Sequence, residues 1–156
     1  MDCPFCASNI DEITIRESKT FRAIYNIAPI LPGHTLIIPK FHKSSLFDFS
    51  NEELSELMLF SKEIVSLLQM CFECEGFNLT LQEKEEAGQT IDHFHWHVIP
   101  RQPDDLENPG DWYPELKKSK EELIDSTERP KLSRREMLEM VNKLKSAPFN
   151  NNMNPD

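Results

Sequence analysis

The chain has 156 residues, of which 38% are hydrophobic and 28% are charged, and its formal net charge is −10. This length suits one domain with a core that buries about 70% of the surface of the unfolded chain. The acidic balance, without a basic stripe, argues against a general role in binding duplex nucleic acid. The sequence has no secretory signal and no apolar run near about 18 residues, so we expect a cytoplasmic protein with no membrane partner.

The N-terminal part of the chain predicts three strands separated by turns. The strands are expected at 12–17, 21–26 and 34–39, with a polar turn between the first two and a proline-containing turn before the third. The third strand contains the apolar run Leu36-Ile37-Ile38, which indicates burial on both faces.

The middle of the chain predicts one long helix followed by two more strands. A capping box at Ser50 and Glu53 marks the start of the helix. Its apolar stripe recurs at helical spacing and consists of Leu54, Leu57, Met58, Ile64, Leu67, Leu68 and Cys71. A strand at 77–82, a charged loop at 83–88 and a strand near 90–99 follow.

The C-terminal part begins with a loop at 102–114 that is rich in proline. A second capping box, Ser133 and Glu136, opens a short helix with one apolar face. We therefore predict an α+β fold in a single domain over residues 1–146, an antiparallel sheet with one long crossover helix and a C-terminal helix. The tail over residues 147–156 should be disordered.

Three of the five histidines, His93, His95 and His97, alternate with apolar residues in the fifth predicted strand. On a strand this spacing puts the three imidazoles on one face and turns Phe94 and Trp96 toward the core. Adjacent rings would be about 6.6 Å apart and the outer two about 13 Å. All three could then bind one metal ion, at about 2.0 Å each, only with help from another element. We expect covalent catalysis instead, in which the central imidazole attacks phosphorus and a neighbour orients it or moves protons.

Neutral hydrogen-bond donors precede these histidines. Gln82, Gln89 and Thr90 are candidates for substrate binding, because an acidic chain that handles phosphate needs local donors. The aromatic pair Trp112 and Tyr113 either closes over a substrate or anchors its loop to the domain. No glycine-rich nucleotide cradle occurs, and we expect no organic cofactor.

Two segments of the sequence resemble a known family. Residues 88–101, Gly-Gln-Thr-Ile-Asp-His-Phe-His-Trp-His-Val-Ile-Pro-Arg, are similar to the signature of the histidine triad (HIT) superfamily. Residues 32–39, Pro-Gly-His-Thr-Leu-Ile-Ile-Pro, resemble its second hallmark segment. The likeness extends from Cys3 to about Arg101 and more loosely to Leu144.

The resemblance implies a role for each matching residue. His95 matches the nucleophile, which takes the α-phosphate of a nucleotide and forms a nucleotidyl-histidine intermediate. His97 and Gln89 match groups that contact the phosphates and the leaving group. His93 matches the orienting first histidine, and His34 matches the residue that supports the ring of the nucleophile. Asn26 sits where related proteins place a ribose-binding residue.

The resemblance also indicates a branch of the superfamily. Gln82 and Asn26 resemble the fragile histidine triad branch, which hydrolyses dinucleoside polyphosphates such as diadenosine polyphosphates, although the loop at 83–86 departs from the glycine-bearing version usual there. The family implies a homodimer that uses the long helix and the neighbouring strand. The alternatives are a nucleoside phosphoramidate or adenylate-conjugate hydrolase, a nucleotide-binding sensor with little turnover, and a metal-dependent protein with the triad as ligands.

Two Cys-x-x-Cys pairs raise the question of metal binding. Cys3 and Cys6 alone do not close a tetrahedral shell. Some bacterial-type members of the superfamily bind structural zinc with such a pair plus histidines that match His42 and His93, and the resemblance implies this ligand set. The other pair, Cys71-x-x-Cys74, falls on the apolar stripe and near the end of the long helix, which indicates core packing.

Overall fold

The computed structural model describes residues 3–111 and 131–148 of the chain. The described strands are β1 (Thr14–Glu17), β2 (Phe21–Tyr25), β3 (Thr35–Pro39), β4 (Gly76–Leu81) and β5 (Trp96–Arg101). They form one sheet in the order β1-β2-β3-β5-β4, and every neighbouring pair is antiparallel. Trp112, Tyr113 and the tail at 149–156 lie outside the described residues.

Two α-helices accompany the sheet, α1 (Asn51–Phe72) between β3 and β4, and α2 (Arg134–Ser146) after the sheet. Both helices begin at the predicted capping boxes. The Ser50 hydroxyl accepts a hydrogen bond from the Glu53 amide while the Glu53 carboxylate accepts one from the Ser50 amide, and Ser133 and Glu136 repeat the arrangement. The predicted α+β fold is confirmed, and no described helix could serve as a membrane span.

The two faces of the sheet differ in what covers them. The back face packs against α1 and α2 in the main core, which includes Phe21, Ile37, Leu57, Ile64, Phe94, Val98 and Leu144. The front face carries a smaller apolar cluster of Ile10, Ile24, Leu36 and Ile38, with Phe5 and Ile13 packed against it. Because Leu36 pairs directly with His97 in the β3–β5 ladder, His97 also lies on the front face.

The expected strand near 90–99 is wrong at its N-terminal end, because regular pairing begins only at Trp96. The preceding backbone bonds elsewhere: the His93 amide donates to the Ile91 carbonyl at 2.8 Å, and the Phe94 amide donates to the Lys43 carbonyl at 2.7 Å. Three imidazoles in one row require a continuous strand. Here His93 and His95 stand on irregular backbone and are free to point in different directions.

The other boundaries differ little from the expected ones. The first strand starts at Thr14 because residues Ser8–Glu12 form a 3-10 helix. Cys74 is buried and Cys71 packs against the main core, as predicted. Ala147, where the tail was expected to begin, also packs against the core, and its carbonyl accepts a hydrogen bond from Arg16.

Gly33 offers a test of this packing. Its φ is +89°, and an added Cβ would lie 2.6 Å from Pro100 Cγ and 2.7 Å from Phe72 Cε2. We expect Gly33→Ala to lower the free energy of unfolding by roughly 2–5 kcal/mol, because left-handed strain and overpacking add. Urea denaturation measures the loss. The matched control is Gly110→Ala, which meets nothing within 4 Å; equal stability of the two variants would contradict the prediction.

Candidate active site

The orientation of His95 is set by a backbone carbonyl. His95 is buried, and its Nδ1 lies 2.7 Å from the carbonyl oxygen of His93. Because a carbonyl oxygen only accepts hydrogen bonds, the network assigns the proton to Nδ1 and leaves the lone pair on Nε2. Burial lowers the pKa of His95, which favours the neutral ring. A neutral imidazole with a bare Nε2 is a nucleophile.

The hydrogen bond from His34 gives His97 the tautomer opposite to that of His95. The Ile30 amide donates to His34 Nδ1 at 3.2 Å, so the proton of this buried ring belongs on Nε2. That nitrogen lies 2.9 Å from His97 Nδ1 and donates to it, which places the His97 proton on Nε2. The rings of His95 and His97 are 5.1 Å apart. The lone pair on His95 Nε2 and the N–H on His97 Nε2 therefore lie on neighbouring side chains.

The position of His34 differs from the expectation that it supports the ring of the nucleophile. It bonds to His97 instead, while His95 Nδ1 is already engaged by the His93 carbonyl. Asn26 lies beside His34, with its Nδ2 at 3.4 Å from both ring nitrogens, and its side-chain oxygen accepts from the Ala28 amide. Asn26 therefore braces the loop around His34 in this structure.

His93 turns its ring away from His95. Its Nε2 donates to the Pro39 carbonyl at 3.2 Å, so Nδ1 carries the lone pair. Burial lowers the pKa of His93 to about 4, and the ring is neutral. Nδ1 faces the thiols of Cys3 at 3.4 Å and Cys6 at 3.6 Å. His93 thus orients His95 with its backbone and not with its imidazole.

The predicted amide donors lie in the loop after β4. Gln82 is buried, and its Nε2 donates to Thr80 Oγ1 at 3.0 Å. Thr80 pairs with His97 in the β4–β5 ladder, so the side chains of Thr80 and His97 face the front of the sheet. Gln89 Nε2 lies 3.4 Å from the His93 carbonyl oxygen, which also accepts the hydrogen bond from His95 Nδ1. Thr90, the third candidate, is exposed.

The conformation of the loop that carries Gln89 depends on Lys84. Lys84 has φ 73° and ψ 165°, a conformation that glycine adopts without cost and other residues at roughly 1–3 kcal/mol. Its amide donates to Gln89 Oε1 at 2.7 Å, and its carbonyl accepts from the amides of Ala87 and Gln89. The loop at 83–86 thus lacks the glycine usual in the fragile histidine triad branch, but Lys84 still has a backbone conformation typical of glycine.

Cys3, Cys6, His42 and His93 form a second group of polar side chains. One ligand atom of each lies within 4.8 Å of all the others. Three of the four sulfur–nitrogen pairs, Cys3–His93, Cys6–His93 and Cys6–His42, are 3.4 to 3.6 Å apart. A tetrahedron with metal–sulfur bonds of about 2.3 Å and metal–nitrogen bonds of about 2.0 Å has edges of about 3.6 Å. The residues therefore fit a tetrahedral metal ion, and we call them the thiol–imidazole cluster.

Sequence reasoning missed Phe5. It lies between the two cysteines in the 3-10 helix Pro4–Cys6, and its ring centroid is 5.5 Å from the rings of both His93 and His95. The only signal was an aromatic residue inside a Cys-x-x-Cys motif, and that spacing does not say where the intervening side chains point.

Residues 7–104 match the HIT domain family. The chain therefore belongs to that family, as the two hallmark segments predicted. It is 36% identical over 113 residues to the bis(5'-adenosyl)-triphosphatase of Dictyostelium discoideum, covering 69% of this chain and 76% of that protein. It is also 29% identical over 126 residues to an adenosine 5'-monophosphoramidase of Schizosaccharomyces pombe, covering 79% and 91%.

Among solved structures, the chain is similar to a zinc-bound histidine triad family protein from Mycobacterium smegmatis. The TM-score is 0.66 with 26% identity, over 92% of this chain and 94% of that one.

The hydrogen-bond network predicts opposite tautomers for two neighbouring histidines. At neutral pH, ¹⁵N NMR of the ring nitrogens should find the proton of His95 on Nδ1 and that of His97 on Nε2. In His34→Ala, His97 should shift toward a mixture of tautomers while His95 keeps its own, because only His97 loses its partner. The same tautomer at both positions would refute this assignment.

Proposed function

We propose that this protein is a nucleotide hydrolase that cleaves at the α-phosphate through a nucleotidyl-histidine intermediate on His95. Its proposed substrates are dinucleoside polyphosphates such as diadenosine polyphosphates. The observation that carries the proposal is the hydrogen-bond network around His95 and His97, which assigns a bare Nε2 to His95 beside an N–H on His97. A neutral nucleophile approaches an anionic phosphate without charge repulsion.

In the first step, His95 Nε2 attacks the α-phosphorus, and the bond to the leaving phosphate oxygen breaks as the P–N bond forms. The ring becomes cationic, and its Nδ1–H bond to the His93 carbonyl becomes charge-assisted. His97 Nε2–H donates a hydrogen bond to the phosphate oxygens that gain charge. A polyphosphate leaves as a stable anion and needs no full proton transfer.

In the second step, water attacks the phosphorus, the P–N bond breaks, its electron pair returns to His95 Nε2, and the proton that the water loses passes to solvent. The products are a nucleoside monophosphate and the shortened nucleotide. Gln82, Gln89, Thr90 and Asn26 are proposed to bind the substrate. Since the net charge of the chain is −10, neutral amide donors in a small site have to supply the attraction for phosphate.

Replacing the nucleophile tests this function. We expect His95→Ala to lower turnover of diadenosine triphosphate by about 10⁴-fold or more, the scale of losing a covalent nucleophile, with an unchanged circular dichroism spectrum. Wild-type protein quenched in alkali during turnover should carry an added nucleoside monophosphate by intact-mass spectrometry, and the variant should not. Turnover retained by His95→Ala would reject the mechanism.

A nucleoside phosphoramidate or adenylate-conjugate hydrolase is the second candidate, favoured by the similarity to the yeast phosphoramidase. An amine leaving group needs a proton, which His97 Nε2–H is placed to supply. The ratio of kcat/KM for diadenosine triphosphate and for adenosine 5'-phosphoramidate distinguishes the two hydrolases. Nucleotide binding without turnover of either would indicate the sensor.

The thiol–imidazole cluster is the proposed site of a structural zinc ion, held by Cys3, Cys6, His42 and His93. Zinc there would tie the N-terminal segment to the residues that precede β5. Protein purified without chelator should contain one zinc ion per chain by elemental analysis, and the Cys3→Ser/Cys6→Ser variant should contain none. A zinc-free wild-type protein would end this proposal.

We also propose a cytoplasmic homodimer. Strand β4 is an edge of the sheet, and Phe77 on it is 46% exposed. On α1, Leu59 is 70% exposed and Met70 is 40% exposed. Exposed apolar residues together with an unpaired strand edge suit a second copy. The four cysteines, none of them in a disulfide, suit a reducing compartment. Sedimentation should give a dimer for the wild type and a monomer for Leu59→Asp; a monomeric wild type would contradict this.

A further inference from the structure

Two residues link the thiol–imidazole cluster to the catalytic histidines. His93 belongs to both, because its Nδ1 lies 3.4 Å from Cys3 Sγ while its carbonyl oxygen lies 2.7 Å from His95 Nδ1. Phe5 contacts both, because it stands between Cys3 and Cys6 and its ring packs edge-on against the rings of His93 and His95. Any displacement of the cluster therefore reaches the nucleophile by two routes.

We propose, on the basis of the hydrolase function above, that the zinc-loaded cluster is a positioning device for the nucleophile. It acts through the His93 carbonyl, which fixes the tautomer and the orientation of the His95 ring. It also acts through the Phe5 ring, which packs against the ring of His95. His93 and Phe5 are then positioning residues, and neither reacts with substrate.

The first route depends on the irregular backbone at His93. This residue precedes β5, so no ladder of strand hydrogen bonds fixes the direction of its carbonyl. Its amide bonds within a short turn to Ile91, and its ring is held at Nε2 by the Pro39 carbonyl and at Nδ1 by the cluster. The side chain is thus held at both nitrogens, and the peptide unit that contains its carbonyl is held by the Phe94 amide, which donates to the Lys43 carbonyl at 2.7 Å. Release of Nδ1 leaves the imidazole with the Pro39 bond alone, and a shift of about 1 Å at a reacting group costs up to about 10²-fold in rate.

The second route depends on how the N-terminal segment is held. Pro4–Cys6 is a three-residue 3-10 helix without a buried residue. The Cys6 amide donates to the Cys3 carbonyl at 3.0 Å and closes this turn, and both thiols meet His93. This arrangement holds Phe5 against His95 and against the front cluster of Ile10, Ile24, Leu36 and Ile38. Loss of the cysteine ligands would loosen Phe5 and remove its ring from beside the nucleophile.

The test uses the full chain with Cys3→Ser/Cys6→Ser and, as the matched control, Cys71→Ser, which removes a thiol outside the cluster. We expect the double variant to lose zinc, to stay folded by circular dichroism and to lose about 10–100-fold in kcat for diadenosine triphosphate. Its ¹⁵N spectrum should move His95 from the Nδ1–H tautomer toward a mixture. Cys71→Ser should keep zinc, kcat and the tautomer.

Phe5 is tested with zinc in place. Phe5→Ala should lower kcat about tenfold while zinc content stays at the wild-type level, and Phe5→Tyr, which keeps the ring, should restore kcat. If the double cysteine variant does not fold, His42→Ala removes one ligand and leaves Phe5 and both cysteines unchanged. The NMR measurement needs no turnover, so it still applies if the wild type proves inactive, a result that would reject the proposed function alone.

A folded, zinc-free variant with wild-type kcat, KM and His95 tautomer would overturn the proposed positioning device, whatever the status of the hydrolase activity. Loss of stability with an unchanged tautomer and unchanged kcat would likewise overturn it, because a purely structural metal would act in that way.

Discussion

The hydrogen bond from His95 Nδ1 to the carbonyl oxygen of His93 is the contact on which the chemistry of this protein depends. An imidazole can carry its proton on either nitrogen, and only one choice leaves Nε2 able to attack. A side-chain partner could itself change tautomer, whereas a carbonyl oxygen can only accept. Fixing the nucleophile with the backbone removes that ambiguity, and the same carbonyl is placed to stabilise the ring when it becomes cationic.

This contact requires that the chain enters the sheet only after His95. On a regular strand, the His93 carbonyl would be committed to a neighbouring strand or directed in the plane of the sheet. Because β5 begins only at Trp96, the preceding carbonyl can face back toward the ring of His95. The sheet then supplies the rest: His97 extends from its front face and meets His34, while the apolar residues of the back face hold the strand in place against α1.

The elements that sequence predicted well are those set by local chemistry. Ser50 and Ser133 begin helices where their capping boxes lie, because both partners of each box are three residues apart. The fifth strand was predicted too long because the alternation of His and apolar residues fits a strand of any length. That periodicity assigns side chains to faces, and it contains no information about where backbone amides bond. The Phe94 amide bonds to Lys43, which is 51 residues earlier in the sequence.

The sequence by itself determined the family, the order of the strands and helices along the chain, and the set of histidines and cysteines that carry the chemistry. Those properties follow from residue type and spacing along one chain. Only the tertiary structure decided that His34 supports His97 and not His95, that His93 gives its ring to the cysteines and its carbonyl to the nucleophile, and that Phe5 touches both sites. Each of these is a contact between distant segments or a choice of tautomer, and its cause is a backbone partner that residue spacing does not encode.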